Sequence, residues 1–195
     1  MGIGDASFTI FDVETTGLDP RAGHRIIEIA GVRVEKGTTP IGQTFSSLVN
    51  PERDVPPEAQ HIHGLRQQDL LNASTITDVL PKFLTFVEGT ILIAHNAQFD
   101  MGFLEVEKEV CWGYIDLPEC LCTLSLSRSV SPRETRHSLD VVAERLGLPI
   151  PQNRLHRALS DALLTTEVFL HLLGRSGVRT LEDLRSRASL QLAWR

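Results

Sequence analysis

Residues 8–18 read Phe8-Thr9-Ile10-Phe11-Asp12-Val13-Glu14-Thr15-Thr16-Gly17-Leu18, an apolar run that passes directly into two acids and a Thr-Thr-Gly turn. Residues 8–13 have the length and the β-branched and aromatic content of a buried strand. Working outward, Arg25 to Val34 supplies a second strand, Lys36-Gly37 a turn, and Gln43 to Val49 a third strand. Three strands in succession with only turns between them predict an antiparallel meander.

Further along, Pro51 to Pro57 reads as a loop, and Pro57 suits the first turn of a short helix that stops at Gly64. From Ile76 the residues Val79, Leu80, Phe83, Leu84 and Val87 keep helical spacing, with Pro81 inside the pattern, so this helix either starts late or kinks. A strand over Thr90 to Ala94, a helix over Phe99 to Glu109 and a strand over Glu119 to Leu124 follow. Ser138 to Leu146 is a helix closed by Gly147, and Ala158 to Leu173 is a longer one ended by Gly174. Residues 180–190 allow one more short helix. The sum is an α/β fold, a mixed five-stranded sheet flanked by helices. Residues 1–174 form the main domain and 175–195 a C-terminal extension.

The 195 residues, 42% hydrophobic and 23% charged, fit one ordinary globular domain and exclude disorder as the dominant state. The longest apolar runs, such as Ile91-Leu92-Ile93-Ala94, are strand-sized, so no membrane span is expected. The first residues lack the basic and apolar regions of a secretory leader. Cys111, Cys120 and Cys122 are too few and too clustered for a disulfide framework, which points to reduced thiols in the cytoplasm. The net charge of −6 argues against a protein that coats long nucleic acid, but not against one that grips a few nucleotides through metal ions. Arg128, Arg133 and Arg136 cluster beside His137, either as a phosphate-facing group or as an ordinary solvated loop.

Three motifs carry the chemistry. Asp12 and Glu14, two apart on a strand, share one face while Phe11 and Val13 take the other. Paired carboxylates among apolar neighbours repel each other unless a cation sits between them, and oxygen ligands suit Mg²⁺ or Mn²⁺. In Ala94-His95-Asn96-Ala97-Gln98-Phe99-Asp100 a strand runs through a polar turn into a helix, where Asp100 either caps the helix or faces a site. In His156-Arg157-Ala158-Leu159-Ser160-Asp161 the acid falls in the opening turn of the long helix, and the histidine projects from the loop before it as a candidate general base.

The order and spacing of these motifs resemble the DEDDh family of 3′→5′ exonucleases, and within it the proofreading epsilon subunits of bacterial replicative DNA polymerase and their stand-alone relatives. The phrases FDVETTGLDP, RIIEIAGVRV, HIHGL, LIAHNAQFDMGFL, HSLDVVAERLG and HRALSDALLTTEVFL carry the likeness, over about residues 7–173. The resemblance implies an RNase H-like fold and two divalent cations. Asp12, Glu14 and Asp161 would hold the first ion, with Asp12 also touching the second. Asp100 would support the site, and His156 would take a proton from the attacking water. Thr15 and Thr16 would approach the terminal 3′-hydroxyl, Leu18 would wedge against the last bases, His63 would touch the substrate, and Asn96 would lie near the phosphates. Phe103 would line the base pocket, although Leu18 and Phe103 also suit a core. The resemblance assigns no role to His61.

The implied partners are DNA 3′ ends, together with a polymerase subunit or a sliding clamp. Epsilon subunits continue into a flexible tail that docks on the polymerase, whereas 22 residues follow Leu173 here, an ending equally compatible with a truncated chain and with a stand-alone exonuclease. Gln191-Leu192-Ala193-Trp194-Arg195 is similar in outline to a clamp-binding peptide, but its last two positions depart. Three rival readings compete with this one. A haloacid-dehalogenase-type phosphatase needs a second Asp where Glu14 stands and a later lysine, and the chain has only Lys36, Lys82 and Lys108. A non-catalytic nucleic-acid-binding module would not need all five core residues. An RNA-trimming relative shares the same five residues, and the 2′-hydroxyl separates its substrates from DNA.

Overall fold

The computed structural model describes residues 1–36, 43–111, 115–150 and 155–190. Gln191 to Arg195, the segment similar to a clamp-binding peptide, lies outside them. In chain order the elements are β1 (Ser7–Thr15), β2 (Ile26–Glu35), β3 (Thr44–Leu48), α1 (Pro57–His63), α2 (Gln67–Leu70), α3 (Ile76–Phe86), β4 (Ile91–Ala94), α4 (Ala97–Cys111), β5 (Cys120–Cys122), α5 (Thr123–Val130), α6 (Leu139–Leu146), α7 (Ala158–Ser176) and α8 (Leu181–Ala188).

The sheet has five strands in the order β3-β2-β1-β4-β5. β1 pairs antiparallel with β2, and β2 with β3, which is the expected meander. β4 then runs parallel to β1, and β5 parallel to β4. β1 is therefore central and buried on both faces. Its even-numbered residues Phe8 and Ile10 enter a core with Phe169 and Leu172 of α7, Leu126 of α5 and Val142 of α6. Its odd-numbered residues Phe11 and Val13 enter the opposite core with Val79, Leu80 and Phe83 of α3 and Leu104 of α4. A smaller cluster of Ile27, Val55, Ala59, Leu65 and Leu70 seats α1 and α2 against β2.

The structure differs from the sequence reading in four places. Pro81 lies inside α3, which begins at Ile76, so the late start is excluded. Burial of Ile76, Val79, Leu80 and Phe83 on one face compensates for the backbone bond that proline cannot make. The strand expected to reach Leu124 ends at Cys122, and α5 starts at once. Its side chains Leu126 and Ser127 are buried there, a pull that comes from the rest of the fold rather than from local propensity. The four-residue α2 has no periodic signal in the sequence. Gly174 does not end the long helix. The helix continues to Ser176, and Gly177 takes the left-handed turn at φ 70°. The short helix expected within 180–190 is α8, whose Leu181, Leu184 and Ala188 pack into the α7-side core. In the Arg128–Arg136 cluster the three arginines are exposed. His137 is buried, with Nδ1 2.8 Å from the Ser127 hydroxyl and Nε2 3.0 Å from the Glu134 carbonyl.

Candidate active site

Toward the end of β1 the face that carried Phe8 and Ile10 changes from apolar to acidic, because Asp12 and Glu14 continue the same alternation. The helix opposite changes with it. α7 offers Val168, Phe169 and Leu172 to the apolar part and, from its first turn, Asp161 to the acidic part. One oxygen from each of Asp12, Glu14 and Asp161 lies within 4.8 Å of the others. Asp100 comes from the other side of the sheet. It sits in the first turn of α4, which starts just past the end of β4, and its Oδ1 accepts the Val13 N–H at 3.2 Å. It therefore bonds to β1 and also interacts with its own backbone N–H. The site lies beyond the carboxyl ends of the parallel pair β1 and β4, the usual position for ligands in α/β sheets.

The electrostatics follow from this crowding. Burial first, then Asp100, Glu14, Asp161 and Glu28, hold the Asp12 carboxyl well above its ordinary range. Glu14 is pushed up to about 8 by burial, then by Asp161, Glu28 and Asp100, with Arg157 opposing. Asp100 is pushed up to about 7 by burial, against the Val13 N–H that favours its charged form. Such a cluster is unfavourable as bare carboxylates at neutral pH. An all-oxygen donor set of this kind fits a hard divalent cation.

His156 precedes α7 and is half-exposed. Its Nδ1 lies 3.0 Å from Asp161 Oδ2, and its backbone N–H donates to the Ile62 carbonyl at 3.0 Å. With Nδ1 engaged, Nε2 is the ring nitrogen left for proton exchange. These five side chains meet in one cleft of about 570 Å³, which Thr15, Thr16, Leu18, His63 and Asn96 also line. Leu18 is 80% exposed, which excludes the core alternative for it. The Thr15 hydroxyl donates to the Gly17 carbonyl at 2.6 Å, and Thr16 Oγ1 accepts the Arg25 N–H at 3.0 Å. Both hydroxyls thus hold the turn itself. A side chain at Gly17 would collide with the His24 ring. Asn96 takes a left-handed φ of 62°, which asparagine tolerates better than most residues.

The three motifs thus form one site with this geometry, and a family model described as Exonuclease, RNase T, matches residues 9–169. The chain belongs to the RNase T exonuclease family. It is a DEDDh exonuclease with an acidic cluster of Asp12, Glu14 and Asp161. The chain is 41% identical over 167 residues to a DNA polymerase III subunit epsilon-like protein of Rhodobacter capsulatus, covering 86% of this chain and 24% of that protein. It is 39% identical over 170 residues to the DNA polymerase III subunit epsilon of Rickettsia conorii, covering 85% of this chain and 73% of that protein. Among solved structures, Exonuclease X in complex with 5′ overhanging duplex DNA matches with a TM-score of 0.71 at 28% identity, covering 92% of this chain and 98% of that one. The fold is that of RNase H-like exonucleases.

Phe103 is the exception among the residues named from the sequence. It is fully buried in the α3–α4 core and does not line the cleft. Phe99, one helical turn earlier with its ring 5.1 Å from that of Phe103, lines the cleft instead. The two share a helix face, so spacing alone did not separate them. Other cleft residues have no role assigned from the sequence. Ile62 is 51% exposed at the cleft, and His24 and His95 also line it. Burial pushes His95 down to about 4, and its Nε2 donates to the His137 carbonyl at 2.8 Å, so it is a neutral structural link. Burial likewise lowers the pKa of His63, whose Nδ1 accepts the Leu65 N–H at 3.0 Å. His61 is exposed, with Nδ1 2.6 Å from the Pro57 carbonyl of its own helix.

Glu28 and Arg157 were also missed. Glu28 lies opposite Glu14 in the β1–β2 register, next to a bulge at Glu14/Thr15. Its carboxylate receives Arg157 Nε at 3.0 Å, Arg157 Nη2 at 2.7 Å and the Ala158 N–H at 3.0 Å. A comparable pair stands on the α4 side. Glu107 accepts from Arg25 Nε at 2.9 Å and from the Ile26 N–H at 3.1 Å. Only the fold brings either pair together.

Proposed function

We propose that this exonuclease domain removes nucleoside 5′-monophosphates from the 3′ ends of DNA, acting on single-stranded or mismatched ends in proofreading or repair. The observation that carries this reading is the approach of Asp12, Glu14 and Asp161 to one another at the floor of a cleft wide enough for a nucleotide. Asp12, Glu14, Asp161 and Asp100 would hold two divalent cations, Mg²⁺ or Mn²⁺. Such ions would supply positive charge against the phosphate and lower the pKa of a bound water. His156, oriented by Asp161 through Nδ1, accepts the water proton at Nε2. Leu18 and Ile62, both exposed at the cleft, give an unpaired terminal base apolar surfaces to lie against.

The epsilon relatives support DNA as the substrate, since their similarity spans most of this chain. They also support an association with a polymerase in the bacterial cytoplasm. Among the described residues no helix is long and apolar enough to cross a membrane. We keep residues 1–174 as the exonuclease unit, onto whose core the end of α7 and the α8 of the expected extension are packed.

The test compares labelled single-stranded DNA, a duplex with a mismatched 3′ end, a matched duplex and RNA, each in Mg²⁺ and in Mn²⁺. Stepwise release of nucleoside monophosphates is expected, faster from the mismatched than the matched end, because a mismatch already supplies the few kcal/mol of unpairing. Equal rates at matched and mismatched ends contradict the reading. Preference for RNA moves the chain to the RNA-trimming branch.

A further inference from the structure

We infer that Glu28 and Arg157 act as one clamp that sets the position of His156 relative to Asp161, so both are positioning residues for the reaction. The inference rests on the exonuclease reading above and adds a part of the chain to it.

His156 and Asp161 are five residues apart across the start of α7, and the residue between loop and helix is Arg157. Arg157 is the N-cap of α7, yet its side chain makes no bond to its own helix. The first helical N–H, that of Ala158, is bonded instead by the Glu28 carboxylate from β2 at 3.0 Å. The same carboxylate takes the Arg157 guanidinium in a two-pronged contact, at 3.0 and 2.7 Å. This is a cap supplied by tertiary structure. It fixes both the backbone and the side chain of the junction to the strand next to β1.

The placement of the pair ties it to the site. Glu28 faces Glu14 directly across the β1–β2 ladder, and its side chain is 4% exposed. Like charges in that register repel and would push the strands apart. Arg157 balances Glu28 through its two-pronged contact. A single guanidinium thus answers the charge of Glu28 and locates the helix that brings Asp161 to the cluster. The backbone bond from His156 N–H to the Ile62 carbonyl holds the other end of the loop. His156 is therefore held between two fixed points, while its half-exposed ring remains free to reach the cleft.

The pair on the α4 side is the internal control. Glu107 and Arg25 bind β2 to α4, and neither lines the cleft or adjoins His156. Arg157→Gln, Glu28→Gln, the double variant and Glu107→Gln are compared by single-turnover digestion of a short single-stranded DNA in saturating Mg²⁺, each also in a His156→Ala background. We expect Arg157→Gln and Glu28→Gln each to lower kcat by roughly 10–100-fold with KM little changed, the usual worth of a partner that orients a reacting group. The double variant is expected to lose no more than the worse single one, because the two act as a unit. In the His156→Ala background either substitution should cost less than threefold. Arg157→Lys keeps the charge without the fork and is expected to fall between wild type and Arg157→Gln.

Wild-type kcat in both single variants overturns the clamp, as does a full additional loss in the His156→Ala background or an equal loss in Glu107→Gln. Arg157 is 44% exposed, so its variants keep the test decisive if Glu28→Gln does not fold. Failure of the wild-type enzyme to release nucleotide overturns the exonuclease reading and the clamp with it, whereas unimpaired turnover by His156→Ala alone overturns the clamp and the role of His156 as base and leaves the exonuclease reading standing.

Discussion

On the α7 side of β1, Phe8 is buried edge-to-face against Phe169 with ring centroids 5.2 Å apart, while Asp12 and Glu14 on the same face meet Asp161 of the same helix. The two regions share a strand, an alternation and a partner helix, but opposite forces shape them. In the first, apolar area leaves water and the packing stabilises the fold. In the second, burial acts on carboxylates and raises their pKa values. The second region costs stability, and the first offsets that cost from a few residues away. This is how a functional site is sustained: the strain sits where a ligand relieves it, on an element held firmly elsewhere.

The largest effect should come from taking a carboxylate out of the acidic half. Asp12→Ala is expected to abolish nucleotide release and to remove divalent-cation binding measured by calorimetry. Full activity of the wild-type enzyme in excess EDTA would show that the acidic half has been misread. Next comes His156→Ala, which should cut kcat by roughly 10²–10⁴, the usual range for a positioned base, while cation binding stays nearly intact. Loss of cation affinity in that variant would make His156 a ligand.

In the apolar half, Phe8→Ala should destabilise the fold by about 3–5 kcal/mol in urea melts, because a fully buried ring leaves a cavity. Cation affinity of the protein that remains folded should be unchanged. A matching loss of affinity would mean that the two halves are not separable.

The smallest effect is the most diagnostic of the contrast. Without metal, Glu14 and Asp100 titrate at about 8 and about 7, well above the ordinary carboxylate range near 4. The folded state therefore holds more protons than the unfolded one between those limits. Stability is then fully present below about pH 4 and is lost as pH rises through about 8. Melting temperature in EDTA should fall over that window, and Mg²⁺ should restore it. Asp12→Asn should flatten the fall by removing one like charge. A melting temperature in EDTA that rises with pH would show that the carboxylates are not under strain.

Much of the fold was legible because its signals are local. The meander of β1, β2 and β3 followed from three apolar runs separated by turn residues, and α6 with Gly147 at its end followed from helical spacing and a left-handed cap. The misreadings share a cause. Cys122 to Leu124 has strand-like composition, yet α5 begins at Thr123, because packing against α7 and α8 decides the state of a short segment. Gly174 looked like a stop, but a glycine on a long, well-packed helix costs only about 1 kcal/mol.

The site divides in the same way. Its residue types and spacing, Asp12-x-Glu14, Asp100 after a strand, and His156 before Asp161, belong to the chain itself. Their convergence was decided by tertiary structure: β1 and α7 share one side of the sheet, and Asp100 reaches β1 from the other. So was the exchange of Phe103 for Phe99 at the cleft, because both positions satisfy the same helical period and only the packing of α4 shows which ring is covered. The Glu28–Arg157 pair bridges 129 residues of chain, a separation at which no local pattern reports contact. A sequence states which groups are present and how they repeat along one element. Which element lies against which is set by the burial of whole faces, and that is a property of the folded chain.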